Sequence, residues 1–191
     1  MRQEPDRLLD ERDTLANLSK DDISGKSVTQ SRVRAIDFDK VKEKYADRFD
    51  VFPIENNAGN KYYPSSVDAV VERKERIYFI EFKYGKVDDE QLHDKAKDSL
   101  LIYENICGNL ADPRNCEFVV AYNGDYRGKP EHHRKDVLPT SKNRDQIAKR
   151  CMKLSGGELI QFGCSDLKMY FGDVHTYDGE EFDKFLEKVI Q

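Results

Sequence analysis

Apolar positions recur with two periods along the chain, and the change of period marks out its elements. Val67-Asp68-Ala69-Val70-Val71-Glu72 and Ile77-Tyr78-Phe79-Ile80-Glu81-Phe82-Lys83 are dense in β-branched and aromatic residues and read as two strands. The four residues between them, Arg73-Lys74-Glu75-Arg76, are all charged and predict an exposed hairpin loop. Val67, Ala69 and Val71 point one way, as do Tyr78, Ile80 and Phe82, while Val70, Ile77 and Phe79 point the other. Both faces are therefore apolar near the turn, as in a central strand pair covered on each side. Helical periodicity flanks the hairpin. Asp37-Phe38-Asp39-Lys40 opens a helix with an Asp cap and the apolar set Phe38, Val41, Tyr45 and Phe49. Asp88-Asp89-Glu90 supplies acids for the first turn of a longer helix. Its stripe is Leu92, Ala96, Ser99 or Leu100, Tyr103 and Ile106, and Gly108 ends it.

The other segments are shorter. Val51-Phe52-Pro53-Ile54 reads as a strand with Pro53 at an edge or bend, followed by the turn-rich Asn56-Asn57-Ala58-Gly59-Asn60. Residues 116–123 form the next strand, so strand, helix, strand predicts a right-handed crossover and a parallel pair. Residues 1–30 are polar, with weak periodicity at Leu8, Leu9, Leu15 and Leu18, and predict a frayed arm or short helix. Residues 31–191 are expected to form one domain, with a core over 37–123 and an elaboration over 124–191. In the elaboration a helix is expected at 142–154, with Ile147, Cys151 and Leu154 on one side. Extended pieces are expected at Met169-Tyr170-Phe171 and Val174-His175-Thr176-Tyr177, and an amphipathic helix at 180–190.

Acids interrupt this apolar pattern where a buried strand should have none. If the hairpin closes symmetrically, Glu72 pairs with Ile77, Val70 with Phe79, and Asp68 with Glu81. Two carboxylates then face each other across the ladder, with Cβ atoms roughly 4.5–5.5 Å apart. Lys83 lies two residues past Glu81 and points to the same face. Like charges opposite one another destabilise a sheet, and an uncompensated buried carboxylate costs several kcal/mol. A divalent cation would relieve both penalties, and carboxylate oxygens suit a hard ion such as Mg²⁺. A lysine beside such an ion is placed to orient or deprotonate a water, or to stabilise charge developing on a phosphate. The alternative is a solvated Glu81–Lys83 pair on a surface hairpin.

Asp68 followed by Glu81-Phe82-Lys83 at the end of the next strand resembles the PD-(D/E)XK nuclease superfamily, over roughly residues 37–123. The resemblance implies a restriction-endonuclease-like α/β fold. Its core would run helix, three strands, helix, strand, with a mixed central sheet flanked by helices and a C-terminal elaboration. It also implies that Asp68 and Glu81 bind Mg²⁺ or Mn²⁺ and that Lys83 assists attack of water on a phosphodiester. Pro64, rather than the residue before Asp68, is the nearest proline, so the match at that site rests on Asp68 alone. In the same superfamily a glutamate of the first helix often joins the metal site, a role for which Glu43 is the candidate and Glu55 a rival. Residues of the second helix contact phosphate or metal in some members. Gln91, Lys95 and Asp98 share one face there by their spacing, which also describes a plain solvated face.

Composition and charge narrow the picture further. No apolar run approaches the roughly 18 residues of a membrane span, and the first residues hold no apolar segment for a signal peptide. The expectation is a cytoplasmic protein with no membrane partner. Cys107, Cys116, Cys151 and Cys164 show no C-x-x-C spacing, which argues against zinc and for reduced thiols. Net charge is −5, yet Arg127, Lys129, Arg134, Lys135, Lys142, Arg144, Lys149, Arg150 and Lys153 face only Glu131, Asp136 and Asp145 in their segment. The first six of these are candidates for contacting a nucleic-acid backbone; an ordinary solvated loop and helix is the competing reading. His132 and His133 read as exposed, His93 and His175 as isolated, and Ser155-Gly156-Gly157 as a helix stop rather than a phosphate loop. The leading expectation is metal-dependent hydrolysis of nucleic acid, DNA first. A non-catalytic binding or regulatory protein of host-defence, antitoxin or immunity type is the alternative, and a small-molecule phosphohydrolase the third. The oligomeric state stays open, a homodimer included.

Overall fold

Six strands form one mixed sheet in the computed structural model, which describes residues 5–49, 54–55, 61–62, 64–85, 87–108, 112–123 and 160–190. They are β1 (Arg12–Thr14), β2 (Arg34–Asp37), β5 (Ala69–Arg73), β6 (Arg76–Lys83), β7 (Cys116–Tyr122) and β8 (Asp173–Asp178), adjacent in that order. The pairs from β1 to β6 are antiparallel, and β6, β7 and β8 run parallel. A separate ribbon pairs β3 (Ile54–Glu55) with β4 (Lys61–Tyr62). The chain is thus α/β with an open mixed sheet. The helices are α1 (Leu15–Leu18), α2 (Phe38–Arg48), α3 (Asp89–Cys107) and α4 (Gly179–Ile190).

The hairpin closes in the expected register, Glu72 against Ile77 and Val70 against Phe79. It turns more tightly than four loop residues would, because Arg73 and Arg76 are themselves paired. Only Lys74 and Glu75 form the turn, with Lys74 at φ 52°. Both faces are covered. Val70, Ile77 and Phe79 pack with Phe118 and Val120 of β7 under α2 and α3, while Ala69, Val71, Tyr78, Ile80 and Phe82 pack with Val119, Phe182 and Leu186 under α4. Val67 corrects the expected assignment of faces. It precedes β5, outside the strand alternation, and its N–H donates to Ser99 Oγ at 2.8 Å, which draws it into the α3 side of the core. Phe79 sits at the centre of that side, edge-on to Phe38, Tyr103 and Phe171 at centroid distances of 6.2, 5.5 and 5.6 Å. Such aromatic pairs add about 0.5–1.5 kcal/mol each beyond the area they bury.

Both central helices start where the acids predict. Asp37 Oδ1 accepts from Lys40 N and Asp88 Oδ1 from Gln91 N, caps worth about 1 kcal/mol each. Gly108 closes α3 with φ 73°, a left-handed conformation that costs a side-chain-bearing residue more. The crossover from β6 through α3 to a parallel β7 is as expected.

Three expectations change. Residues 5–29 carry the expected short helical pieces, Pro5–Asp10 and Leu15–Leu18, but are not frayed. Leu8 and Leu15 are buried, β1 extends the sheet at its edge, and Thr29 Oγ1 donates to Asp183 of α4. The strand expected at 51–54 does not join the main sheet in its described part, since Ile54 and Glu55 pair with β4; residues 51–53 lie outside the described residues. The neighbour of β5 is instead β2, ahead of α2. Its four residues were too short and too polar to stand out, yet Ala35 and Ile36 bury completely on opposite faces. Finally, Cys164–Met169 is a 3₁₀ turn and Met169 is exposed, so the extended stretch begins only at Asp173. The helix expected at 142–154, with Cys151 and the glycines that follow, lies outside the described residues.

His175 is not an isolated histidine. Its Nε2 donates to Glu117 Oε2 at 3.2 Å, and its Nδ1 lies 3.1 Å from the Tyr177 hydroxyl. The other Glu117 oxygen takes the Arg76 guanidinium, and Glu117 itself is buried. A Glu117→Ala variant removes the carboxylate shared by His175 Nε2 and Arg76 and is expected to lose about 2 kcal/mol of stability, read from the midpoint of urea unfolding. An unchanged midpoint would show that the network contributes nothing.

Candidate functional site

The hairpin, α2 and α3 bring polar side chains together at the carboxyl end of β6. Open α/β sheets commonly bind ligands outside the carboxyl ends of their parallel strands. Asp68 is the residue just before β5, level with Glu81 by continuation of the ladder register. Two bonds fix it there. Its backbone carbonyl accepts from Phe38 N at 3.2 Å, tying it to the first turn of α2, and its Oδ2 accepts from Phe82 N at 2.6 Å. Only Oδ1 remains free of the backbone, and it faces Lys95 Nζ at 3.6 Å.

Glu81 is the centre of the cluster. It is 1% exposed, although it is a charged residue in the middle of a sheet. Its Oε1 accepts from Lys95 Nζ and forms an ion pair with Lys83 Nζ, both at 2.8 Å. Its Oε2 is buried with no hydrogen-bond partner. Lys83 extends from the end of β6, and its ammonium also donates to Gln91 Oε1 at 3.4 Å. The strand alternation explains the meeting of Glu81 and Lys83, and one turn of α3 sets Gln91 and Lys95 on the same face toward them. Asp98, the third residue of that helix face, accepts from Ser65 N at 2.8 Å and holds the chain entering Asp68.

Electrostatics separate the two acids. Burial first, and the neighbouring Glu81 carboxylate second, push the Asp68 carboxyl up to about 8, against which Lys95 and the Phe82 N–H pull downward. Burial alone would lower the Lys95 ammonium, but Glu81 and Asp68 outweigh it and raise that group above the ordinary lysine value. Asp68 therefore tends to keep its proton, while Lys95 keeps its charge.

Asp39 is the residue that sequence reasoning missed. Its charge acts on both Asp68 and Lys95, and its carboxylate accepts from Ser66 Oγ, two residues before Asp68. Glu43, the expected helix acid, is exposed one turn further along α2. The signal available was position: Asp39 lies in the first turn of α2, beside Asp68, and Glu43 does not. The side chain of Glu55 and the residues Arg127, Lys129, Arg134, Lys135, Lys142 and Arg144, with His132 and His133, lie outside what the structure describes. His93 Nε2 lies 3.2 Å from Asp166 Oδ1 and away from the acid pair.

Among the described residues, no group of three or more His, Cys, Asp or Glu side chains is arranged to hold a metal ion. The donor set on hand is the pair Asp68 and Glu81. It fits a hard ion in two respects: Asp68 Oδ1 has no backbone donor, and Glu81 Oε2 is a buried anionic oxygen without a partner. It differs from an open metal site in one respect, because Lys95 already lies against both acids. No helix among the described residues is long and apolar enough to cross a membrane. Comparison with protein-family models, with curated proteins and with solved structures finds no match to the chain. The resemblance to the PD-(D/E)XK superfamily accordingly rests on Asp68, Glu81-Phe82-Lys83 and the hairpin that joins them.

Proposed function

We propose that the chain is a metal-dependent nuclease, hydrolysing phosphodiester bonds of nucleic acid, DNA first, on a restriction-endonuclease-like variant of its α/β sheet. One observation carries this reading: two strand-end carboxylates and a lysine converge, and one carboxylate oxygen is buried without a partner. An anionic oxygen left bare in a protein interior is costly unless a cation or donor joins it. Asp68 and Glu81 are the residues that would hold Mg²⁺ or Mn²⁺. A metal bound there would polarise the scissile phosphate and offset the charge that develops on it. Lys83, at the rim with 13% of its side chain exposed, orients the attacking water, and Gln91 steers its ammonium. The positive segment 127–153 supplies charge for the polymer backbone.

The test is cleavage of DNA and RNA by the purified chain with Mg²⁺ or Mn²⁺. Lys83→Met is expected to slow cleavage by about 10²–10⁴-fold, the range for loss of a proton-handling side chain. Cleavage that survives this substitution, or that ignores chelation of the metal, would sink the assignment.

Lys95 favours a second reading. An acid pair neutralised by the protein's own ammonium groups has no need of a metal. A non-catalytic binding or regulatory protein on the same fold, of host-defence, antitoxin or immunity type, would keep the cluster for its shape. Absence of cleavage together with absence of Mn²⁺ binding by calorimetry selects it.

A further inference from the structure

Lys95 stands where a bridging cation would stand. Asp68 Oδ2 is committed to Phe82 N, so Oδ1 is the oxygen that Asp68 can offer to an ion. Lys95 Nζ is 3.6 Å from that oxygen and 2.8 Å from Glu81 Oε1. A hard divalent ion approaches carboxylate oxygens to about 2.1 Å. An ion shared by Asp68 and Glu81 would therefore crowd an ammonium that touches the same oxygens, and two like charges at such distances repel strongly in a buried setting. The unpartnered Glu81 Oε2 gives the ion a further oxygen that Lys95 does not use.

We propose that Lys95 is a resident counterion that exchanges with the metal, so that ammonium and divalent ion occupy the acid pair alternately. The inference rests on the metal-dependent reading and adds its regulation. Lysine suits the role: a compact charge on four rotatable methylene units swings aside without disturbing the helix that bears it. Its 18% exposed side chain has a path outward, and the Asp39 charge lies near enough to be felt by Lys95. In the metal-free state Lys95 pairs with Glu81 and holds the end of the hairpin to α3. Metal binding must first displace it, so loading is weaker than the two carboxylates alone would give. By reciprocity, whatever draws Lys95 away strengthens metal binding by the same factor.

Calorimetric titration of the full chain with Mn²⁺ tests this, comparing wild type with Lys95→Met. The variant is expected to bind roughly tenfold more tightly or better, while its metal-free form melts at a lower temperature. Acetic anhydride labelling read by mass spectrometry gives a measurement on wild type that does not depend on the variant folding: Lys95 should become more reactive when Mg²⁺ is added. Equal Mn²⁺ affinity in both proteins, or Lys95 labelling unmoved by a metal that does bind, would overturn the exchange and leave the nuclease reading standing. Binding by Lys95→Met alone would overturn both, since Lys95 of the wild type would then exclude the ion rather than alternate with it. No binding by either protein overturns both.

Discussion

Glu81→Gln is expected to slow cleavage steeply and destabilise the chain in one step. Glu81 is the residue on which both lysines converge, and its environment is nearly free of water. The amide keeps the size and one acceptor oxygen but removes the charge. Lys83 and Lys95, only 13% and 18% exposed, would then lose the carboxylate that both contact. Breaking a buried ion pair from one side typically costs 3–5 kcal/mol, and a loss of about 3 kcal/mol is expected here because both lysines keep some water. The same change removes half of the candidate metal ligand set, and cleavage should fall by roughly 10³-fold, the scale for losing one preorganised electrostatic contact. Urea unfolding and a Mg²⁺-dependent cleavage assay give the two readouts separately. A variant as stable as wild type would mean that the lysines do not depend on Glu81. A stable variant with full activity would remove it from the chemistry as well.

How much of this was legible in the chain depends on whether the deciding contact was local. The hairpin register followed from alternation and loop length, since a two-residue period leaves one pairing that keeps Val70 and Phe79 on the same face. Placing Asp68 level with Glu81, and Lys83 beside it, needed nothing more. The face shared by Gln91, Lys95 and Asp98 was likewise fixed by helical spacing, although that spacing says nothing of which way the face points; the contacts with Lys83, Glu81 and Ser65 supply it. Longer-range partners were not legible. Nothing local makes Arg34-Ala35-Ile36-Asp37 a strand; it is held by pairing with β1 on one side and β5 on the other. Nor does anything local attach residues 5–29 to the domain. The Tyr84 hydroxyl lies 2.8 and 2.7 Å from the Ser19 and Lys26 carbonyls, and Thr29 reaches Asp183, which are contacts across the fold. Asp39 was overlooked because an acid in the first turn of a helix already has a structural explanation.

A divalent cation, or a solvated Glu81–Lys83 pair, was the compensation legible for the acids in the sequence, and Lys95 adds a third. Its ammonium pairs with Glu81 and lies 3.6 Å from Asp68, so the meeting of Asp68 with Glu81 does not by itself require an ion. What still points to a further cation is the division of labour among the four oxygens. Asp68 Oδ2 takes a backbone N–H, Asp68 Oδ1 lies 3.6 Å from Lys95, Glu81 Oε1 takes two ammonium groups, and Glu81 Oε2 takes nothing. Lysines satisfy one side of the cluster and leave the other side bare.

Asp68→Asn should act on stability in the opposite direction to the Glu81 change, because the two acids meet different conditions. Asp68 is raised from 3.8 to about 8, by burial first and by Glu81 second. Below pH ~4 the carboxyl is protonated in both folded and unfolded chains, and the two proteins should be equally stable. Between the two pKa values the unfolded chain releases the proton and the folded chain retains it, so wild-type stability falls as pH rises. Above about 8 the folded chain is ionised too, and the penalty levels off. Asparagine keeps an oxygen for Phe82 N and carries no ionisable proton, so it escapes this penalty altogether. In metal-free buffer the variant is expected to gain on wild type steadily across this window, by several kcal/mol at pH 8. Adding Mn²⁺ should reverse the order, since an ion that binds the folded wild type raises its stability by mass action and Asp68→Asn has lost one of the two carboxylates that would hold it. Paired urea titrations at pH 4.5, 6 and 8, with and without Mn²⁺, measure both effects. A stability gap that stays constant with pH would mean that Asp68 is not held protonated by its neighbours, and a gap that Mn²⁺ fails to close would take Asp68 out of the metal site.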